Sequence, residues 1–195
     1  MKHLIRLFST LRFKGTKNYI NSQKKYEIVR TLIYFGISAS LFIAGYIATK
    51  TTKNYLTIFA VVGCLPASKS LISAIMFLRF KSCSQSVCER LESISYHLNE
   101  LYDMVFTTYD KNYSIAHMVI AGNTICGYTE MNNFAEKDFQ THILNVLKMD
   151  GHKNTTVKIF SDLNKYIERI IQLNESEADT SNSAEIAETL KSVAL

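Results

Sequence analysis

The chain has no tryptophan, one proline and seven glycines in 195 residues. These shortages exclude several chemistries. Neither G-x-x-x-x-G-K-[ST] nor G-x-G-x-x-G occurs, so no glycine-rich loop is present to cradle a nucleotide's phosphates. The H-E-x-x-H zinc helix and the G-x-S-x-G nucleophile elbow are missing too. Histidine is scarce, at five residues, which leaves few ligands for an imidazole metal site. Cysteine is limited to Cys64, Cys83, Cys88 and Cys126, which is not the paired framework of a small secreted domain. Cys83 and Cys88 have no second cysteine pair or histidine close by in sequence, so no zinc site is expected from them. Cys126 lies between Ile125 and Gly127, without a basic sequence neighbour to stabilise a thiolate.

Acidic residues are also short, but only locally. Residues 1–30 hold one acid, Glu27, against eight Lys/Arg. Residues 82–195 reverse this, with nine Lys/Arg against sixteen Asp/Glu. The net charge of +5 therefore belongs to the N-terminal arm. A basic folded domain would suggest nucleic acid, whose affinity comes largely from neutralised phosphates. This domain is acidic, so no nucleic-acid partner is expected.

What the chain does have is two long apolar runs. Thr31–Thr49 carries no charge over nineteen residues, close to the ~20 needed to cross the ~30 Å hydrocarbon layer. Its small residues (Gly36, Ser38, Ala39, Ser40, Ala44, Gly45) suit close helix contact in lipid. Tyr55–Leu78 forms a second run, interrupted by Pro66 and Lys69. A lysine at mid-bilayer costs ~2.5–3.5 kcal/mol, which Leu, Ile and Phe can offset. Lys69, whose stem would snorkel toward an interface, is thus expected either to be a tolerated charge at a kinked helix or to line a polar path or bind a lipid headgroup. Only Lys50–Asn54 joins the runs, which predicts a transmembrane hairpin over 31–78. Eight basic residues before it, and Arg79 and Lys81 after it, outweigh Lys50 and Lys53 in the loop. The positive-inside rule then predicts a multi-pass plasma-membrane protein with both termini cytoplasmic. Within the basic arm 1–30, Leu4, Phe8 and Leu11 share one helical face, as in an interfacial helix. Arg6 interrupts that apolar run, so it does not read as a signal peptide.

Residues 82–174 read as an α/β (α+β) cytoplasmic domain with a central mixed four-stranded sheet. Val87, Leu91, Ile94, Leu98 and Leu101 follow a 4-3-4-3 spacing that predicts one face of a core-facing helix, with a short coiled coil as the alternative. Strands are expected at 104–109, 113–121, 124–130 and 155–160, with turns at Asp110–Asn112 and Gly122–Asn123. Helices are expected at 134–149, ended by Gly151, and at 164–173. From Glu175 the chain turns acidic and serine-rich (ESEADTSNSAE), which predicts a disordered tail over 175–195 with a marginal helix at its end.

One stretch, Ser114-Ile-Ala-His-Met-Val-Ile-Ala-Gly-Asn-Thr-Ile-Cys-Gly-Tyr-Thr-Glu130, resembles the core of the nuclease-related NERD domains, which have a restriction-endonuclease-like fold. Ile115, His117, Gly122, Gln140 and Phe160 fall at matching places, and the resemblance spans roughly 85–173. It implies metal-dependent nucleic-acid cleavage by two carboxylates and a lysine. Here the metal-binding Asp of the family is Ala116, its Glu is Tyr128 and its Lys is Glu130. Glu130, Asp110, Asp103 and Glu100 are the acids from which a relocated site could be built; His117, flanked by apolar neighbours, is either a packing residue or a base.

The resulting expectation is a membrane-anchored, non-catalytic nuclease-like module without cofactor or metal. Its partners would be the lipid bilayer and a protein or a second copy of the chain. The alternatives are a tethered nuclease with relocated carboxylates, and a span-centred role in an envelope or transport complex through Lys69. The low glycine and proline content, with many Lys, Asn and Ile, suits a bacterial chain.

Overall fold

The structure is a computed structural model that describes residues 13–94, 97–175 and 182–195. The interfacial helix expected over 1–13 lies outside the described residues, apart from Phe13. The chain divides into two compact units. Residues 20–81 form one, and residues 13–19 group with 82–195 in the other.

The first unit is a helical hairpin of α1 (Tyr19–Thr49) and α2 (Tyr55–Leu78). Both helices are long and apolar enough to cross a membrane. Helix α1 begins twelve residues before the expected boundary at Thr31, so residues 19–30 of the basic arm are helical. Asn54 caps α2 by accepting the Thr57 N–H at 2.8 Å. The seam of α2 is built from small side chains at heptad spacing. Ala60, Ala67 and Ala74 are buried with Ser70, and Gly63 lies against Ser38 of α1. The seam of α1 is polar at its N-terminal end. Thr31 Oγ1 donates to Ser70 Oγ at 2.9 Å, and buried Glu27 accepts from Gln23 at 3.0 Å and Arg30 at 2.8 Å. Large apolar side chains point the other way. Among the described residues, all exposed large hydrophobics lie on this unit except Tyr109, Met149, Ile171 and Val193. The hairpin is inside-out relative to a soluble helix pair: small and polar within, apolar without.

The second unit is a three-layer α/β/α domain. Helix α3 (Gln85–Glu92) precedes β1 (Asn99–Thr107), β2 (Asn112–Ala121) and β3 (Thr124–Tyr128). Then come α4 (Glu136–Met149), β4 (Thr156–Phe160), α5 (Leu163–Glu175) and α6 (Ser183–Val193). The sheet is open and mixed, in the order β1-β2-β3-β4. The first three strands form an antiparallel meander and β4 pairs parallel with β3. Gly122, at φ +55°, takes the first central position of the two-residue β2–β3 turn, where a side chain would strain the left-handed backbone. Gly151, at φ +97°, ends α4 as expected: the His152 N–H reaches back to the Leu147 carbonyl at 2.8 Å.

Two expectations are corrected. The 4-3-4-3 helix does not run to Leu101. It stops at Glu92, and β1 starts at Asn99, earlier than the strand expected from Met104. Leu101 opposes Met118 in a ladder that runs from Asn99↔Ile120 to Thr107↔Asn112. Partner strands, which local periodicity does not see, decide this segment. The tail is not disordered over 183–193: the helix expected at its end is present as α6, begins earlier, and buries Ile186 and Leu190 completely. The Leu195 N–H bonds the Val105 carbonyl at 2.8 Å, and Lys14 Nζ bonds the Ala194 carbonyl at 2.5 Å.

Each face of the sheet has its own core. On one face Phe139, Ile143 and Leu147 of α4 and Ile186 and Leu190 of α6 pack on Met104, Phe106, Ile115 and Ile120. On the other, Leu91 of α3 and Tyr166, Ile170 and Leu173 of α5 pack on Ala116, Val119, Cys126 and Tyr128. Strict alternation would send Leu101 and Met104 to opposite faces, yet both join the first core. Asp103, at φ +54°, lies between them and reverses the phase of β1.

Candidate functional site

Three places in the α/β domain hold the residues that the sequence singled out. The first is the face that the nuclease resemblance points to. Ala116 on β2 and Tyr128 at the end of β3 are only 7% and 9% exposed. Tyr128 stacks on Tyr166 with centroids 5.8 Å apart, and Phe160 meets Tyr166 at 5.9 Å. Aromatic packing therefore occupies the positions matched to the two metal-binding carboxylates.

The second place is the corner beside it. Glu130 is exposed just past β3 and accepts from Ser84 Oγ at 2.6 Å. Asp103, buried and strained, accepts the Cys83 N–H at 2.7 Å. Consecutive residues at the head of α3 thus hold both acids. Asp110 sits apart, exposed on the β1–β2 turn. Among the described residues no three His, Cys, Asp or Glu side chains converge as a metal site. A divalent cation of the nuclease type needs carboxylate oxygens facing one point; here Asp103 and Glu130 accept instead from Cys83 and Ser84. Burial pushes the Cys83 thiol well up, with further contributions from contact with Cys88 and from the nearby charges of Glu130 and Asp103. The two thiols, five positions apart in sequence, are thus neighbours in the structure. Burial raises the Cys126 thiol too. Its basic neighbours, Arg169 and Lys158, come from distant elements and oppose that rise.

The third place centres on His117. It lies in mid-β2, fully buried, with the Tyr102 ring at 4.4 Å. Its Nδ1 is 2.8 Å from the Tyr166 hydroxyl and its Nε2 is 3.4 Å from Glu100 Oε2. The Tyr102 hydroxyl donates to the same carboxylate oxygen at 3.3 Å. A neutral ring fits this arrangement, with Nε2–H donating to Glu100 and Nδ1 accepting from Tyr166. Burial lowers the His117 pKa, and the Glu100 contact only partly opposes this. The Tyr102 phenol is raised, by burial first and then by Glu100.

The His117 shift sets a pH dependence. The unfolded ring takes a proton near pH ~6.5, whereas the folded ring does so at lower pH. This contribution to stability is full above the unfolded value and is lost as pH falls through it toward the folded one. The wild-type midpoint should therefore drop further than that of His117→Phe when thermal unfolding is compared at about pH 7.5 and about pH 5. Equal drops would mean that the buried ring is not neutral.

Glu100 and Tyr102 also floor a cleft of about 510 Å³. One wall is the segment Gly15–Lys17; the other is Leu91, Glu92 and Ile94 at the end of α3, with Leu98 beyond. Gly15 is joined to β1 by a bridge, its carbonyl accepting the Tyr102 N–H at 2.9 Å. Lys17 ion-pairs with Glu92. No local pattern points to Tyr166 or to Lys17, which lie 49 and 75 positions from their partners.

Lys69 is exposed on α2, turned away from the buried Ser70 seam, with no hydrogen bond or ion pair among the described residues. No family model matches this chain, and neither a curated protein nor a solved structure shows detectable similarity to it.

Proposed function

We propose that this chain is a two-span membrane protein whose cytoplasmic domain is a nuclease-like module that binds a partner rather than cutting nucleic acid. The observation that carries the anchor is the inside-out hairpin. Exposed Leu, Ile, Val and Phe side chains surround a small and polar seam. In water that surface would be a large aggregation-prone patch; in lipid it is solvated. The α-β-β-β-α-β order and the parallel β4 support the NERD-like reading. The packed Ala116, Tyr128 and Tyr166 support a binding role over a metal-dependent one.

A second reading is favoured by one observation: Asp103 and Glu130 are held by neighbouring residues, Cys83 and Ser84. In that reading they are relocated carboxylates of a tethered nuclease. The full chain, purified in detergent and incubated with duplex and single-stranded DNA in Mg²⁺ or Mn²⁺, decides between them. No cleavage above the buffer control is expected. Cleavage that disappears in both Asp103→Ala and Glu130→Ala would establish the nuclease instead.

A further inference from the structure

The hairpin carries a cavity of its own, beside the loop that joins its helices. It measures about 540 Å³ and runs along the first turns of α2. Ile58, Val61 and Val62 line its helix side, each more than half exposed. Lys53, Asn54 and Tyr55 line its loop side. From Tyr55 to Val62 the helix rises ~10 Å. The cavity is thus a short lengthwise groove, apolar at one end and topped by an ammonium at the other.

The loop that presents the ammonium is well fixed. Asn54 Nδ2 donates to Thr49 Oγ1 at 3.0 Å and to the Thr51 carbonyl at 2.8 Å, while its Oδ1 caps α2. The Lys53 N–H donates to Thr51 Oγ1 at 3.2 Å. Its Nζ, by contrast, has no hydrogen bond or ion pair among the described residues. The hairpin cannot supply a counter-charge. No Asp or Glu occurs between Glu27 and Glu89, and Glu27 is buried and paired with Arg30.

We propose that this groove binds an anionic phospholipid, its phosphate at Lys53 and its acyl chain along Ile58, Val61 and Val62. The charge decides the occupant. A second copy of the chain has no carboxylate on its own hairpin to bring to Lys53, whereas the phosphates of a bilayer lie at the level where a span meets its loop. Tyr55, largely exposed beside Lys53, is the kind of aromatic that sits at that level. The proposal rests on the membrane reading above, but on neither the orientation of the hairpin nor the nuclease resemblance.

Lipid-specific fluorescence quenching tests it. The chain has no tryptophan, so a single introduced one reports its own lipid neighbours. Val61→Trp places the probe in the groove. Ile43→Trp is the control at matching depth, six residues before Thr49 on α1 as Val61 is six after Tyr55 on α2, and equally on the outer surface. The full chain is reconstituted in phosphatidylcholine vesicles in which a fixed minor fraction is dibrominated, as phosphatidylglycerol or as phosphatidylcholine. Val61→Trp should favour the brominated phosphatidylglycerol about fivefold, the scale of one lysine at an anionic lipid. Ile43→Trp should show no preference. Adding Lys53→Gln to Val61→Trp should abolish the preference. Adding Lys50→Gln, whose side chain does not line the groove, should leave it. Equal quenching by the two lipids at Val61→Trp overturns the proposal, as does a preference that survives Lys53→Gln. Quenching at Ile43→Trp but not at Val61→Trp also overturns it, by showing that protein covers the groove. No quenching at either position would remove the membrane reading itself, and the proposal with it. If Val61→Trp fails to reconstitute, Ile58→Trp takes its place, with Tyr46→Trp as its control.

Discussion

Phe139→Ala should remove a large part of the α/β domain's stability. Phe139 is fully buried in α4 and is the hub of an aromatic cluster. It meets Phe106 at 5.5 Å and 65°, Phe134 at 5.2 Å and 60°, and Tyr113 at 5.2 Å. Those three come from β1, from the segment before α4, and from β2. Truncation therefore leaves a cavity that no single element can close by moving. Phe-to-Ala changes in such settings cost ~3–5 kcal/mol, against a total of ~5–15 kcal/mol for a domain. Thermal unfolding followed by far-UV circular dichroism should show a midpoint lower by on the order of 10 °C. Ile171→Ala is the comparison: that side chain is an exposed neighbour of buried Ile170 on α5, and its loss should stay within about 0.5 kcal/mol. Similar losses for both would mean that the first core is not packed as described.

The elements set by local rules were legible in the sequence. The turn at Gly122–Asn123, the stop at Gly151 and the two apolar runs all depend on neighbours within a few positions. The errors occurred where distant partners decide. Leu98 and Leu101 prolong a helical spacing by coincidence, and the ladder with β2 overrides it. Helix α6 is expected from sequence only as a marginal helix at the end of the tail, because averaging an acidic, serine-rich composition hides the stripe of Ile186, Ala187 and Leu190. His117 stood out as a polar residue in an apolar strand, but its partners did not. Glu100 faces it from an adjacent strand, and Tyr166 from a helix beyond β4. Lys17 lies in an arm whose charge reads as membrane topology, yet it lines a cleft of the α/β domain. A single sequence gives each residue's chemistry; only the fold gives the juxtaposition on which a site depends.

Gly63→Leu should separate the helices of the hairpin, whereas Gly36→Leu should not. A Cβ at Gly63 would meet Ser38 Oγ at 2.7 Å, while one at Gly36 meets nothing within 4 Å. Both substitutions add the same apolar side chain to the same hairpin, so their difference isolates seam packing from hydrophobicity. In the proposed membrane setting the seam is vulnerable, because lipid offers no hydrophobic drive to hold two helices together. Close van der Waals contact and interhelical hydrogen bonds must suffice, the latter averaging only ~0.6 kcal/mol each. Overpacking of ~1–3 kcal/mol is of the same size as the whole attraction. The Thr31–Ser70 hydrogen bond, seven residues along each helix, supplies the readout. In a Cys64→Ser, Cys83→Ser background, Thr31→Cys and Ser70→Cys should oxidise readily to a disulfide, since their hydroxyls already lie 2.9 Å apart. Adding Gly36→Leu should leave that cross-link intact. Adding Gly63→Leu should abolish it or slow it by at least an order of magnitude, because a splayed seam moves the two thiols out of bonding range. Undiminished cross-linking in the Gly63 variant would show that small residues do not set the distance between the helices.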